Sequence, residues 1–157
     1  MGQLKTAIFD VDGVMTTGQF IYSVNGKMYK IFGPHDGDGL KMLSKHINIK
    51  FLTADRRGYP ITKRRIVHDM EMQLDLVTED ERYGYIESRY GFKNTAYMGD
   101  GIFDSKILAA CEFSIAPANA RKEARQAAKF VTESASAEGA VLDACLEIIK
   151  RYFLTTK

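Results

Sequence analysis

Ala7-Ile8-Phe9-Asp10-Val11-Asp12-Gly13-Val14 runs an apolar strand into two carboxylates spaced one residue apart, then a glycine. Strand alternation would put Asp10 and Asp12 on one face. The following Gly13 and Gly18 favour instead a chain that leaves the strand at Asp10, with both acids at the strand's exit. Ligands bind at such exits in open parallel sheets. Two close carboxylates repel, and the pKa of one rises unless a cation lies between them. The stretch therefore points to a hard divalent metal, or to an acid and a nucleophile working together. A plain acidic turn is the competing reading, because Asp and Gly are ordinary turn residues.

The rest of the chain continues the strand theme. Gln19 to Val24 and Lys27 to Phe32 flank Asn25-Gly26, a strong hairpin signal because both turn positions need positive φ. The arms carry so much apolar and aromatic surface that they should cover their own domain or another subunit. Gly33 to Gly39 reads as a loop, with a short helix after it. Ile49 to Leu52 is a second buried strand ending at Thr53. Pro60 opens a helix running to about His68. Leu74 to Val77 is a brief apolar run, followed by a helix that starts in Glu79-Asp80-Glu81 and stops at Gly91. Thr95 to Met98 is a strand ending in Gly99-Asp100-Gly101, and Ile102 to Ala110 is helical. Phe113 to Ala116 and Phe130 to Thr132 are strands around a helix over Arg121 to Ala128, and a helix from Gly139 to Phe153 closes the chain. Strands alternating with helices predict an α/β fold, a doubly wound and mostly parallel sheet with one inserted hairpin.

The 157 residues suit a single domain spanning 1–157, with 45% apolar residues and no low-complexity tract. Twenty-two basic against 20 acidic residues leave a net charge of +2, which gives no reason to expect a nucleic acid or a membrane surface as partner. Cys111 and Cys145 lie in apolar helical patterns and read as reduced core thiols. With no signal-like or membrane-spanning run, the expected location is the cytoplasm.

Three strand exits carry polar residues: Asp10 with Asp12, Thr53, and Asp100 with Asp104 one helical turn on. In a parallel sheet these exits share one edge. Several carboxylates there form a coherent oxygen-ligand site with Mg²⁺ and a costly one without it.

On Asp10-Val11-Asp12-Gly13-Val14, Thr53 and Gly99-Asp100-Gly101-Ile102-Phe103-Asp104, the chain resembles the haloacid dehalogenase superfamily of Mg²⁺-dependent phosphotransferases. The hairpin, the stretch His35-Asp36-Gly37-Asp38-Gly39-Leu40 and the Glu138-Gly139-Ala140-Val141 helix start look most like its capless branch of 3-deoxy-D-manno-octulosonate 8-phosphate phosphatases. The resemblance covers nearly the whole chain. It implies Asp10 as the nucleophile that forms an aspartyl-phosphate, and Asp12 as general acid and then base. Mg²⁺ would be held by the Asp10 and Asp100 carboxylates and the backbone carbonyl of Asp12, with Asp104 steadying the metal's surroundings. Thr53 would bind a phosphoryl oxygen. The implied substrate is a small phosphorylated sugar acid, 3-deoxy-D-manno-octulosonate 8-phosphate first. The implied assembly is a homotetramer built through the hairpin, 18–32.

The match departs from the family at its lysine motif. The corresponding stretch, Val77 to Gly84, has no lysine, and Arg82 is its only cation. Arg82 is either the replacement or a surface helix residue; arginine holds phosphate well but is not interchangeable with lysine in a tight site. Ala54 stands where relatives have glycine. Arg56 and His35 are expected to touch substrate. A phosphatase for a nine-carbon sugar acid, sialic acid type, would use the same chemistry. The missing lysine also admits a catalytically weak module serving oligomerisation or regulation. A receiver-type signalling domain fits poorly, because it needs an acidic pair before its phosphorylated Asp.

Overall fold

The computed structural model describes residues 3–154. Its centre is a six-stranded sheet in the order β5-β4-β1-β6-β7-β8. The strands are β1 (Thr6–Asp10), β4 (Asn48–Thr53), β5 (Gln73–Leu76), β6 (Thr95–Met98), β7 (Phe113–Ala116) and β8 (Phe130–Val131). Every pairing in this sheet is parallel. The chain leaves β1 towards β4 on one side and returns to β6 on the other, so β1 borders the point where strand order reverses.

Strand alternation divides the core into two layers. Phe9, Phe51 and Met98 face one side of the sheet and pack with α1 (Asp36–Leu43) and α6 (Ala140–Tyr152). Ile8, Leu52 and Tyr97 face the other and pack with α3 (Glu79–Arg89), α4 (Ser105–Ala110) and α5 (Lys122–Ala127). The helix expected from Pro60 exists as α2 (Tyr59–Lys63) and continues as a wider π-helical segment, Arg64–Asp69. Cys111 and Cys145 are buried free thiols, as read from their apolar neighbours.

The sequence reading misplaces the start of α1. The segment read as a loop is already helical from Asp36, despite Gly37 and Gly39. Packing overrides propensity here: a β-carbon on Gly39 would stand 2.8 Å from the Leu142 backbone, so glycine lets α1 and α6 approach closely. The Asp36 carboxylate then accepts from the Leu142 N–H at 3.3 Å, near the start of α6.

The hairpin forms from β2 (Thr16–Ser23) and β3 (Gly26–Phe32), an antiparallel pair separate from the main sheet. Irregular register between Thr16 and Phe20 bends it. Ile21, Tyr22, Val24, Tyr29 and Ile31 are all at least half exposed in the single chain.

Candidate active site

The strand β1 stops at Asp10, and a tight loop carries the chain on to β2. The N–H groups of Val14, Met15 and Thr16 all donate to the Val11 carbonyl, at 3.2, 2.8 and 3.2 Å. The Thr16 hydroxyl accepts from the Gly13 and Gly18 N–H groups, each at 3.1 Å. Gly13 has φ +80°, and a β-carbon there would overlap the Asp100 carboxylate. The glycine thus lets the first acidic loop lie directly against the second.

Asp10, Asp100 and Asp104 converge, each offering an oxygen within 4.8 Å of the others. Asp104 is already engaged. One oxygen accepts from the Tyr97 hydroxyl at 2.6 Å and from Arg82 at 3.3 Å. The other accepts from the backbone N–H groups of Asp100 at 3.1 Å and Gly101 at 2.8 Å. Asp104 therefore braces the loop that carries Asp100. Burial pushes the Asp10 carboxyl well above the ordinary carboxylate range, against the pull of the Arg82 guanidinium. Burial, reinforced by the Asp104 charge, pushes Asp100 up to about 7. Both shifts mark carboxylates that want a positive charge between them. The donor set, hard carboxylate oxygens partly withdrawn from water, fits Mg²⁺.

Arg82 enters this cluster from α3. It is 4% exposed, and its Nη1 lies 3.4 Å from Asp10 and 3.1 Å from the Tyr97 hydroxyl. Its Nε–H has no hydrogen-bond partner among the described residues. The surface-helix alternative for Arg82 does not hold, because the side chain points inward and lines the acidic cavity. The cluster of Asp10, Tyr97 and Asp104 outweighs the cost of burial and keeps the guanidinium charged.

The cavity at these strand exits measures about 330 Å³, and Asp10, Asp12, Arg82 and Asp100 line it. Thr53 is buried at the last position of β4, where its hydroxyl oxygen accepts from the Asp55 N–H at 3.2 Å. Its own proton remains available to an acceptor. Arg56 and His35 are exposed and stand outside the cavity wall in the single chain.

Several residues of the site escaped the sequence reading. Lys27 and Phe20, from the hairpin, line the cavity together with Asp55. Lys30 reaches Asp12 at 2.8 Å. Tyr97 is fully buried and ties Arg82 to Asp104. The available signal was two lysines within an otherwise apolar hairpin arm, close in sequence to an acidic motif.

A family model for haloacid dehalogenase-like hydrolases matches residues 85–144. Among curated proteins, the Haemophilus influenzae 3-deoxy-D-manno-octulosonate 8-phosphate phosphatase KdsC is 34% identical over 87% of this chain and 78% of its own. The Yersinia pestis KdsC is 29% identical over 90% of this chain and 78% of its own. The cobalt-bound structure of the H. influenzae phosphatase superposes with a TM-score of 0.83 at 31% identity, covering 96% of this chain and 90% of that one. The Moraxella catarrhalis phosphatase, solved with magnesium, phosphate and KDO, gives a TM-score of 0.80 at 26% identity, over 94% and 86% of the two chains.

Proposed function

The chain belongs to the haloacid dehalogenase-like hydrolases, within the family of 3-deoxy-D-manno-octulosonate 8-phosphate phosphatases, and from this premise we propose that it hydrolyses that phosphate monoester with Mg²⁺. The observation that carries the reading is the convergence of Asp10, Asp100 and Asp104 around one cavity, with a buried Arg82 beside them.

In this reading Asp10 is the nucleophile. Its carboxylate oxygen forms a bond to phosphorus as the bond from phosphorus to the sugar oxygen breaks. Asp12 gives its proton to the departing alcohol, leaving an aspartyl-phosphate on Asp10. Asp12 then takes a proton from a water that attacks the phosphorus, and inorganic phosphate and free Asp10 result. Mg²⁺, held by the Asp10 and Asp100 carboxylates and the Asp12 carbonyl oxygen, screens the negative charge that would otherwise keep carboxylate and phosphate apart. The Thr53 hydroxyl and the Arg82 guanidinium bind phosphoryl oxygens and meet the charge spreading over them. Arg82 takes the place of the absent lysine, and its contact with Asp10 supports that role. A cation at this position also argues against an inactive, purely regulatory module.

The exposed apolar arms of the hairpin support assembly with further copies of the chain, as a homotetramer. Arg56 and His35 keep a substrate role only if assembly or a conformational change brings them to the cavity. No helix among the described residues is long and apolar enough to cross a membrane, which suits an enzyme of the cytoplasm.

Phosphate release from a panel of sugar-acid and common sugar phosphates, with Mg²⁺ or EDTA, tests the proposal. Release confined to the eight-carbon acid phosphate, dependent on Mg²⁺ and abolished in Asp10→Asn, is expected. Release from a nine-carbon acid phosphate alone would keep the chemistry and replace the substrate. Undiminished turnover by folded Asp10→Asn would remove the mechanism.

A further inference from the structure

Lys30, on β3 of the hairpin, takes no part in the steps above, yet its side chain is 0% exposed and points into the site's wall. Its ammonium lies 2.8 Å from Asp12 Oδ1 and 3.1 Å from Oδ2. It also lies 2.7 Å from Asp55 Oδ2 and 2.8 Å from the Thr62 hydroxyl oxygen. An ammonium has three protons to donate, and three residues here accept them. Lys30 therefore has no proton left for a substrate oxygen.

We propose that Lys30 is a positioning residue: clamped by Asp55 and Thr62, it fixes the Asp12 carboxylate in the orientation from which it exchanges a proton with the substrate. The proposal rests on the reading of Asp12 as the general acid. Asp12 is the acid that most needs such a hold. Its side chain lies at the cavity wall and is 28% exposed, so without a restraint it would be free to turn towards water.

The clamp is built from separate segments. Asp55 lies in the loop after β4 and Thr62 on α2. Asp55 is fixed in turn by Lys27 at 2.7 Å and by the Gly58 N–H at 3.1 Å. Lys27 stacks its charge over Phe20, 3.9 Å from the ring centre. A β-carbon on Gly58 would stand 2.7 Å from Lys30 Cε, so the loop closes tightly on the lysine stem. Burying an ammonium this completely is costly unless every proton is satisfied, and satisfying them leaves it one geometry. The hairpin is thereby joined to Asp12 through Lys30.

The test compares kcat/KM for the sugar acid phosphate with that for p-nitrophenyl phosphate, whose leaving group departs without being protonated. The variants are Lys30→Met, Thr62→Val and Asp12→Asn. Lys30→Met should lose roughly 10²-fold on the sugar phosphate and less than about 3-fold on the aryl ester, as expected for a misplaced general acid. Thr62→Val, which removes one hydrogen bond and no charge, should show the same selectivity at roughly 3- to 10-fold. If Lys30→Met does not fold, Thr62→Val decides. Equal losses on both esters, or none, would overturn the assignment. If Asp12→Asn is selective and the Lys30 and Thr62 variants are not, the role of Lys30 alone falls. If Asp12→Asn loses equally on both esters, the reading of Asp12 falls first and takes the clamp with it.

Discussion

The guanidinium of Arg82 lies 3.4 Å from the carboxylate of Asp10, joining the N-terminal part of α3 to the end of β1. The same nitrogen reaches Asp104, so one cation faces two acids from different strand exits. Arg82→Ala would leave these carboxylates facing each other without it. Activity should fall by at least about 10²-fold, the scale seen when a positioned charge partner of the reacting group is lost. Arg82→Lys keeps the charge but not the fork, and should recover only part of that loss. Steady-state kinetics with circular dichroism on both variants measures this.

Gly13→Ala should damage the metal site from a distance of one loop. The residue sits at φ +80°, and the added methyl would push against the Asp100 carboxylate. Strain of about 1–3 kcal/mol is expected in stability. Displacement of Asp100 should weaken Mg²⁺ binding by roughly 10- to 100-fold. Calorimetric titration with Mg²⁺, set beside thermal unfolding, separates the two effects.

The metal-free protein should become less stable as pH rises from about 4 to 7. Burial raises the folded-state pKa of Asp10 and, with the Asp104 charge, that of Asp100 to about 7. In this window the folded state holds protons that the unfolded state has released, so raising the pH favours unfolding. The slope approaches about 1.4 kcal/mol per pH unit for each proton held. Mg²⁺ competes with those protons, so its stabilising effect should grow over the same window. Unfolding midpoints across this range, with EDTA and with Mg²⁺, provide the check. A midpoint in EDTA that climbs with pH would contradict the assignment of these buried acids.

Asp55 works in the opposite sense. Burial raises its pKa, but hydrogen bonds from Lys27 and Lys30 overcome that and hold it at about 2. Its contribution to stability is complete above the unfolded-state value near 4 and disappears as pH falls through about 2. Asp55→Asn should therefore cost about 1 kcal/mol at neutral pH, less than the full shift because the carboxylate is partly open to water, and the gap to the parent should close towards pH 2. Denaturant titrations at several pH values would reveal a gap that stays constant, which would argue against the ion pairs as its source.

Much of the architecture was legible in the chain, because local sterics and periodicity set it. An apolar run broken by Asp10, Asp12 and Gly13 ends a strand whatever surrounds it. The hairpin forms where expected, but its turn is Val24-Asn25 rather than Asn25-Gly26: Ser23 pairs with Gly26, and Gly26 has positive φ while Asn25 does not. Gly91 at φ +74° stops α3. The acids Asp10, Asp100 and Asp104 were identifiable because they follow strands, and parallel strands deliver their exits to one edge. The early start of α1 was not legible, since its glycines serve the contact with α6 rather than a turn.

What only the tertiary structure decided is how long side chains cross between elements. Arg82 occupies a position that a helix pattern cannot distinguish from a surface one; its inward course depends on where α3 docks against β6. Lys30 reads as the solvated residue of a β-arm until the hairpin folds back over Asp55 and Thr62. Backbone periodicity fixes the direction in which a side chain leaves its strand or helix. The partner at the far end of four or more rotatable bonds is set by long-range packing and by the need to neutralise buried charge, and neither is written in the neighbouring residues.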